Sequence, residues 1–527
     1  MQTLAAPEPL RFGSKAGRWA LIGTVLGSGM TMLDGTVVNI ALPRLRDDLD
    51  ADFAGLQWVI NGYTLALASL ILLGGSLGDR LGRRRIFTIG VVWFTLASLL
   101  CALSPSVELL VTARVLQGIG GALLVPGSLA MLQASFHPDD RARAIGAWSG
   151  LGGVTTAIGP FLGGWLVDAA SWRWIFLINV PLGAVVLYVA IAHLPETSDP
   201  TVEGRLDLSG AFLGAAGLAA ITYGFIERSF PIGVVGAALF AAFLVAEARQ
   251  RHPMLTLSVF RSRQFSAANA VTFVLYGGLG MALFLVGLVL QDSMGYAPLE
   301  AGIATLPITV VMLAFSARAG GLARRIGPRI PMTLGPLTMA AGLALMVRIE
   351  PGTSYVESVL PALLVFSAGL AFTVAPLTAT ALAAADARHA GLASGVNNAV
   401  ARTGQLLAVA LIPILAGFQA GEPVAADVLV DGFHRVALVA AAAVAVAGLL
   451  SWAFIRSDVL EAAPAEPGAL PVTDAADVPV PDRDKVEDDA ERAGAPVLVA
   501  VPHGRPTYHC GATAPPLAPT ETPHCRT

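Results

Sequence analysis

The sequence predicts an all-α polytopic membrane protein: two pseudo-symmetric six-helix bundles plus two inserted helices, fourteen transmembrane helices in all. Three observations predict it. Of 527 residues, 55% are apolar and only 13% charged, about half the roughly 25% charge of an average soluble domain. So few charges cannot cover the surface of a soluble chain of this length, which excludes a disordered, fibrous or ordinary cytosolic protein. The apolar residues fall into long runs, and about 20 such residues suffice to cross a bilayer. One loop sequence occurs twice, once in each half.

In chain order the runs lie at 19–42, 55–76, 86–104, 107–133, 145–168, 174–193, 208–227, 231–247, 266–290, 301–317, 331–347, 355–382, 394–418 and 434–455. The first starts at Trp19 and continues into a polar, Asp-containing segment, so it reads as a spanning helix and not as a cleavable signal peptide. The seventh and eighth are separated only by Arg228, Ser229 and Phe230, and the turn at Pro231 splits them.

The distribution of basic residues tests the count. With the N-terminus inside and the spans alternating, the inner segments before the tail hold twenty basic residues and the outer loops six: Arg44, Arg46, Arg173, Arg228, Arg348 and Arg435. Merging the seventh and eighth runs would reverse every later loop and place the 249–263 and 318–329 clusters outside. Fourteen spans are therefore kept, with both termini cytoplasmic and the chain placed in the cell inner (cytoplasmic) membrane.

From Asp458 onward twelve acids accompany five bases, whereas the residues before it hold 25 acids and 28 bases. This Pro-, Ala- and acid-rich tail reads as disordered. Of three cysteines, Cys101 sits in an apolar run and Cys510 and Cys525 lie in the tail, which argues against structural disulfides. The pairs His509-Cys510 and His524-Cys525 fit no standard zinc spacing.

Gly75, Leu77, Arg80, Gly82 and Arg84, after the second run, align at one fixed offset with Gly320, Leu322, Arg325, Gly327 and Arg329, after the tenth. The repeat divides the chain into an N-terminal segment 1–18, a bundle 19–195, an inserted pair with flanking loops 196–264, a second bundle 265–456, and the tail 457–527. Internal repeats of spans characterise secondary transporters, whose substrate sites lie at the repeat interface near the midplane.

Charges inside spans are costly, at least about 2.5–3.5 kcal/mol on insertion scales, and imply a role. Arg114 and Arg402 are the basic residues well inside apolar runs, and Asp34 is the clearest buried acid. Asp34 precedes Pro43 by nine residues, and Arg114 follows Ser106 by eight. At about 1.5 Å per residue both lie roughly 12–14 Å below the outer surface.

Five stretches, in order, resemble the fourteen-helix drug:proton antiporter branch of the major facilitator superfamily. They are Leu33-Asp34-Gly35-Thr36-Val37-Val38-Asn39-Ile40-Ala41-Leu42-Pro43, the loop Gly74 to Arg85, Arg114-Val115-Leu116-Gln117-Gly118-Ile119-Gly120-Gly121, Gly159-Pro160-Phe161-Leu162-Gly163-Gly164, and Trp172-Arg173-Trp174-Ile175-Phe176-Leu177-Ile178-Asn179-Val180-Pro181. The similarity spans residues 15–456. Arg402-Thr403-Gly404-Gln405 stands where the branch usually has R-x-x-G-G, and Arg324 stands where the first loop has Asp79.

The resemblance implies export of amphipathic drugs or antibiotics by alternating access, driven by the proton-motive force in antiport. The alternative is a dedicated exporter of an endogenous metabolite such as a self-made antibiotic or siderophore. It implies that helices 1 and 4 line one cavity, where Asp34 and Arg114 pair. Burial raises a carboxyl pKa and a guanidinium lowers it, so Asp34 can exchange a proton for a cationic substrate; a static packing pair is the other reading. For Gly75, Gly78, Asp79, Arg80, Gly82, Arg83 and Arg84 the resemblance implies a gating loop, with Asp79 docking on the opposite half in the outward-open state, against a purely topological role. For Gly159, Pro160, Gly163 and Gly164 the readings are a sliding interface or ordinary small-residue packing. Arg402 binds carbonyls or a substrate carboxylate, or anchors packing. Asn39, Asn61, Tyr63, Gln117, Asn397, Asn398 and Gln405 are cavity-lining candidates, half or more of which need do no more than bond between helices.

The expected partners are a lipophilic small molecule, protons and the lipid bilayer. No nucleic acid, cofactor or metal is implied, and a monomer suffices because one chain supplies both halves. The chain lacks a G-x-x-x-x-G-K-[ST] loop, a nucleophile motif and a metal-spaced His/Glu set, so an ATP-driven pump or a membrane enzyme is disfavoured.

Overall fold

The computed structural model describes residues 9–198, 206–250, 253–384, 390–419 and 424–460. The acidic tail beyond these, with Cys510, Cys525 and their histidine neighbours, lies outside the described residues, as do Arg205, Arg251 and Arg388.

Fourteen helices are long and apolar enough to cross a membrane. They are α1 (Lys15–Leu49), α2 (Phe53–Leu81), α3 (Arg83–Leu103), α4 (Val107–Ser135), α5 (Pro138–Ala169), α6 (Trp174–His193), α7 (Leu208–Ile226), α8 (Phe230–Arg249), α9 (Arg263–Ser293), α10 (Pro298–Ile326), α11 (Arg329–Arg348), α12 (Tyr355–Ala383), α13 (Gly391–Ala416) and α14 (Ala426–Phe454). Each predicted span corresponds to one of them. Several helices outrun the predicted run: α1 continues to Leu49, α5 starts at Pro138, α10 ends at Ile326, and α14 starts at Ala426. The extra turns carry charges such as Arg46, Asp140, Arg324 and Asp431, so the apolar run stops where the bilayer would, and the helix does not.

Local chemistry sets several ends. The side chains of Ser14, Asp52, Ser106, Asp207 and Ser262 accept a backbone N–H at the start of α1, α2, α4, α7 and α9, which satisfies otherwise orphaned donors. After α2 and α10 the chain turns at Gly82 (φ +103°) and Gly327 (φ +81°), conformations that favour glycine. These two glycines occupy equivalent places in the repeated loop.

The packing has the same repeat. In the first bundle α1 packs on α5, α2 on α4, α3 on α4 and α3 on α6. Shifted by eight, α9 packs on α13, α10 on α12, α11 on α12 and α11 on α14. Two seams join the bundles, α5 with α10 and α13 with α2, and they are related by the same shift. The hairpin α7–α8 turns at Arg228, whose φ is +53°. It lies against the α2/α13 seam through α7, and the Phe240 backbone closes on Gly217.

One end of the molecule carries the repeated loops and is called the loop end here; the other is the far end. Among the described residues, the hydrogen bonds and ion pairs between the bundles lie toward the far end. Arg46 forms a fork with Asp292 (2.7 and 3.0 Å), Gln291 donates to Ile40 O (3.0 Å), the Leu299 N–H donates to Asp168 (2.9 Å), and Gln57 donates to Val409 O (2.5 Å). The α5/α10 seam is closed there: a Cβ on Gly164 would overlap Pro298, and one on Gly302 would overlap Pro160. Toward the loop end, a Cβ on Gly146, Gly150 or Gly153 of α5 would meet nothing within 4 Å, and Leu313 and Phe315 of α10 are exposed. The seam therefore parts in that half.

Candidate functional site

Asp34 and Arg114 meet in the interior of the first bundle. Both are essentially inaccessible, at 0% and 1% exposure. Arg114 Nη1 donates to Asp34 Oδ2 and, at 2.5 Å, to Gln117 Oε1. Its Nε donates to the carbonyl of Val59 at 3.0 Å. Gln117 Nε2 donates to Asp34 Oδ1 and to Ser98 Oγ, both at 2.8 Å, and Asn179 Nδ2 reaches Asp34 Oδ1 at 3.3 Å. The guanidinium lies over the rings of Tyr63 (4.3 Å) and Phe176 (5.7 Å). Residues from α1, α2, α3, α4 and α6 thus close one polar ring in an apolar bundle, where charges persist because they are paired and bonded.

The sequence-predicted residues divide around this ring. Gln117 belongs to it. Tyr63 is buried against Arg114, and its hydroxyl donates to Thr31 O at 3.3 Å. Asn61 is fully buried, and neither amide atom has a partner among the described residues. Asn39 bonds within α1 to Gly35 O (3.2 Å) at the closed α1–α9 contact. Asn397 donates to Asn269 (3.2 Å) and Thr272 (2.9 Å) on α9, an interhelical bond inside the second bundle. Asn398 is exposed, and Gln405 is half-buried beside Gly280. Arg402 is half-buried.

The loop after α2 is tied to its own bundle. Asp79 pairs with Arg83 at 2.8 Å, and Arg83 reaches Ala130 O at 3.5 Å. Arg84 binds Leu194 O (3.0 Å), and its N–H donates to Glu196 (3.0 Å). Gly82 turns against Glu196, Gly75 faces Pro126, and Gly78 faces Arg83. Arg80 also has a partner. On α5, Gly159 and Gly163 face Thr36 and Val37 of α1, while Gly164 faces α10. Helix α5 runs unbroken through Pro160. This small-residue stretch is what lets α5 touch both its own bundle and the other.

Sequence reasoning singled out neither Asn179 nor Ser98 as ring members. Asn179 lies inside the stretch from Trp172 to Pro181, which is a usable signal. The same stretch holds the far end: Trp172 Nε1 donates to Asp48 at 2.8 Å, and Arg173 pairs with Asp48 at 3.5 Å.

Two pseudo-symmetric six-helix bundles, the first holding a buried ion-pair ring, have the architecture of a membrane transporter. The chain belongs to the Major Facilitator Superfamily, whose family model matches residues 24–409. Among its relatives, the multidrug resistance protein Stp of Mycobacterium tuberculosis is 36% identical over 406 residues, 74% of each chain. The puromycin resistance protein pur8 of Streptomyces alboniger is 35% identical over 491 residues, 89% of this chain and 96% of that one. The tetracenomycin C resistance and export protein of Streptomyces glaucescens is 34% identical, with 76% of each covered. Among solved structures, a D-xylose-proton symporter shares the fold at 15% identity (TM-score 0.60, 84% of this chain and 98% of that one). So does an inward-facing bacterial homolog of the human lysosomal transporter Spinster, at 18% (TM-score 0.59, 86% and 100%). The protein is a multi-pass membrane transporter and not an enzyme.

Proposed function

We propose that the protein exports amphipathic drugs or antibiotics across the cytoplasmic membrane by alternating access, in antiport with protons. The loop end and both termini face the cytoplasm, so the conformation described above is inward-facing. The observation that carries the reading is the buried ring. Arg114, Gln117 and Asn179 donate hydrogen bonds to the Asp34 carboxyl. A proton arriving at Asp34 would remove the charge that holds Arg114, leaving the guanidinium to Gln117, Val59 O and the Tyr63 face. The relatives' names support a resistance role.

In this conformation the ring leaves Asp34 no surface for a cationic substrate. The proton is therefore taken as the ligand of Asp34, with the substrate binding elsewhere between the bundles. The inter-bundle space, the small-residue face of α5 and the loop pairing of Asp79 within its own bundle agree with rocking of one bundle against the other. In the outward-facing state Asp79 docks on the second bundle. A dedicated exporter of an endogenous metabolite is the second reading, favoured by the tetracenomycin C relative.

The test is efflux from everted vesicles over a substrate panel, with and without a proton uncoupler. Gradient-dependent accumulation that disappears with Asp34→Asn, at unchanged membrane expression, is the expected result. Accumulation indifferent to the uncoupler would sink the antiport reading.

A further inference from the structure

Arg402 differs from Arg114 in one respect that bears on the substrate. A charge inside a membrane helix either pairs with protein groups or lines a wet or ligand-filled space. Arg114 does the first. Arg402 is half-buried, and among the described residues no hydrogen bond or carboxylate meets its guanidinium. The acid of the neighbouring ring, Asp34, is already bonded to Arg114, Gln117 and Asn179.

The position of Arg402 follows from its helix. Gly395 of α13 faces Leu72 of α2, and Val409 O accepts Gln57 of α2. Residues 395, 402 and 409 are seven apart and share one helix face, so Arg402 sits midway along the seam between the bundles. Asn61, one turn from Gln57 on α2, contributes a buried amide with neither atom bonded. A cation without an anion beside it on α13, facing the helix that carries an unpaired amide, marks a polar position at mid-membrane on the seam.

We propose that Arg402 recognises an acidic group, a carboxylate or ionised phenol, on the transported molecule. The substrate class is then an organic anion with an apolar skeleton. The inference rests on the export reading for its setting, but its test is binding.

The full chain in lipid nanodiscs is titrated with three probes that share a skeleton: pyrenebutyrate, its methyl ester, and the cationic pyrenebutyl-trimethylammonium. The wild type binds the acid at least about tenfold more tightly than the ester, the scale of one charge-assisted contact. Arg402→Gln abolishes this preference, and Arg402→Lys, which keeps the charge but not the fork, retains part of it. Size-exclusion profiles confirm that both variants remain folded. Absence of acid-selective binding in the wild type, whichever other probe binds, overturns the proposal. So does an Arg402→Gln variant that keeps the selectivity. If selectivity depends on Arg402 yet vesicles show no gradient-driven export, the site stands and the export reading falls.

Discussion

At the residue scale, Asp34 and Arg114 were legible because an isolated charge in an apolar run is rare, and counting residues from the helix ends placed both at one depth. Their shared neighbours were not. Serine and asparagine are common in membrane helices, so nothing in the run marks Ser98 or Asn179 as ring members until helix orientation is known. The ring makes a stability prediction. Arg114→Ala leaves Asp34 buried without its cation, and such a loss costs about 3–5 kcal/mol. Thermal denaturation in detergent should therefore show a clearly lower midpoint for Arg114→Ala than for Arg114→Ala combined with Asp34→Asn. Equal midpoints would mean that the charge is not held by this pair.

At the element scale, helix number and order were readable from apolar runs and basic loops, whereas helix ends were not, because charged turns extend beyond the apolar stretch. Two elements carry predictions. Gly82 turns with φ +103° against Glu196, so Gly82→Ala should destabilise the loop by about 1–3 kcal/mol, read as faster proteolysis between α2 and α3. In the inserted hairpin, Asp207 caps α7 while Glu247 of α8 is 2% exposed. Burial disfavours the Asp207 charge, but hydrogen bonds from the Gly210 N–H, Gln250 and Ser209 outweigh it and hold this carboxyl below its usual range. Glu247 accepts the Leu255 N–H at 2.8 Å. Glu247→Gln keeps an acceptor and should change the melting midpoint little. Asp207→Ala loses both cap and acceptor and should cost about 1–2 kcal/mol. A larger loss for the glutamine variant would show that the Asp207 cap is not what holds the start of the hairpin.

At the scale of the whole molecule, the repeated loop foretold the two-bundle symmetry, because a fixed sequence offset became a fixed shift of eight helices in the packing. The Arg46–Asp292 pair was invisible in the sequence, since it joins residues 246 apart whose proximity exists only once the bundles meet. Charge reversal at one site, Arg46→Glu, should open the far end. Cysteines placed there should label faster, and Arg46→Glu with Asp292→Arg should restore slow labelling. Fast labelling in the double variant would show that the pair does not close this end.

The hairpin α7–α8 has a mechanical consequence. Trp58 of the first bundle donates to Glu227 at 2.9 Å, and Arg228 donates to Pro413 O of the second at 2.9 Å. One small element is thereby pinned to both bundles, on one side of the molecule only. Under the proposed rocking, a pin along one edge would turn rotation into a scissor motion, with little travel at the α2/α13 edge and most of it at α5/α10. Spin-label distances across the two edges should differ in just that way during turnover.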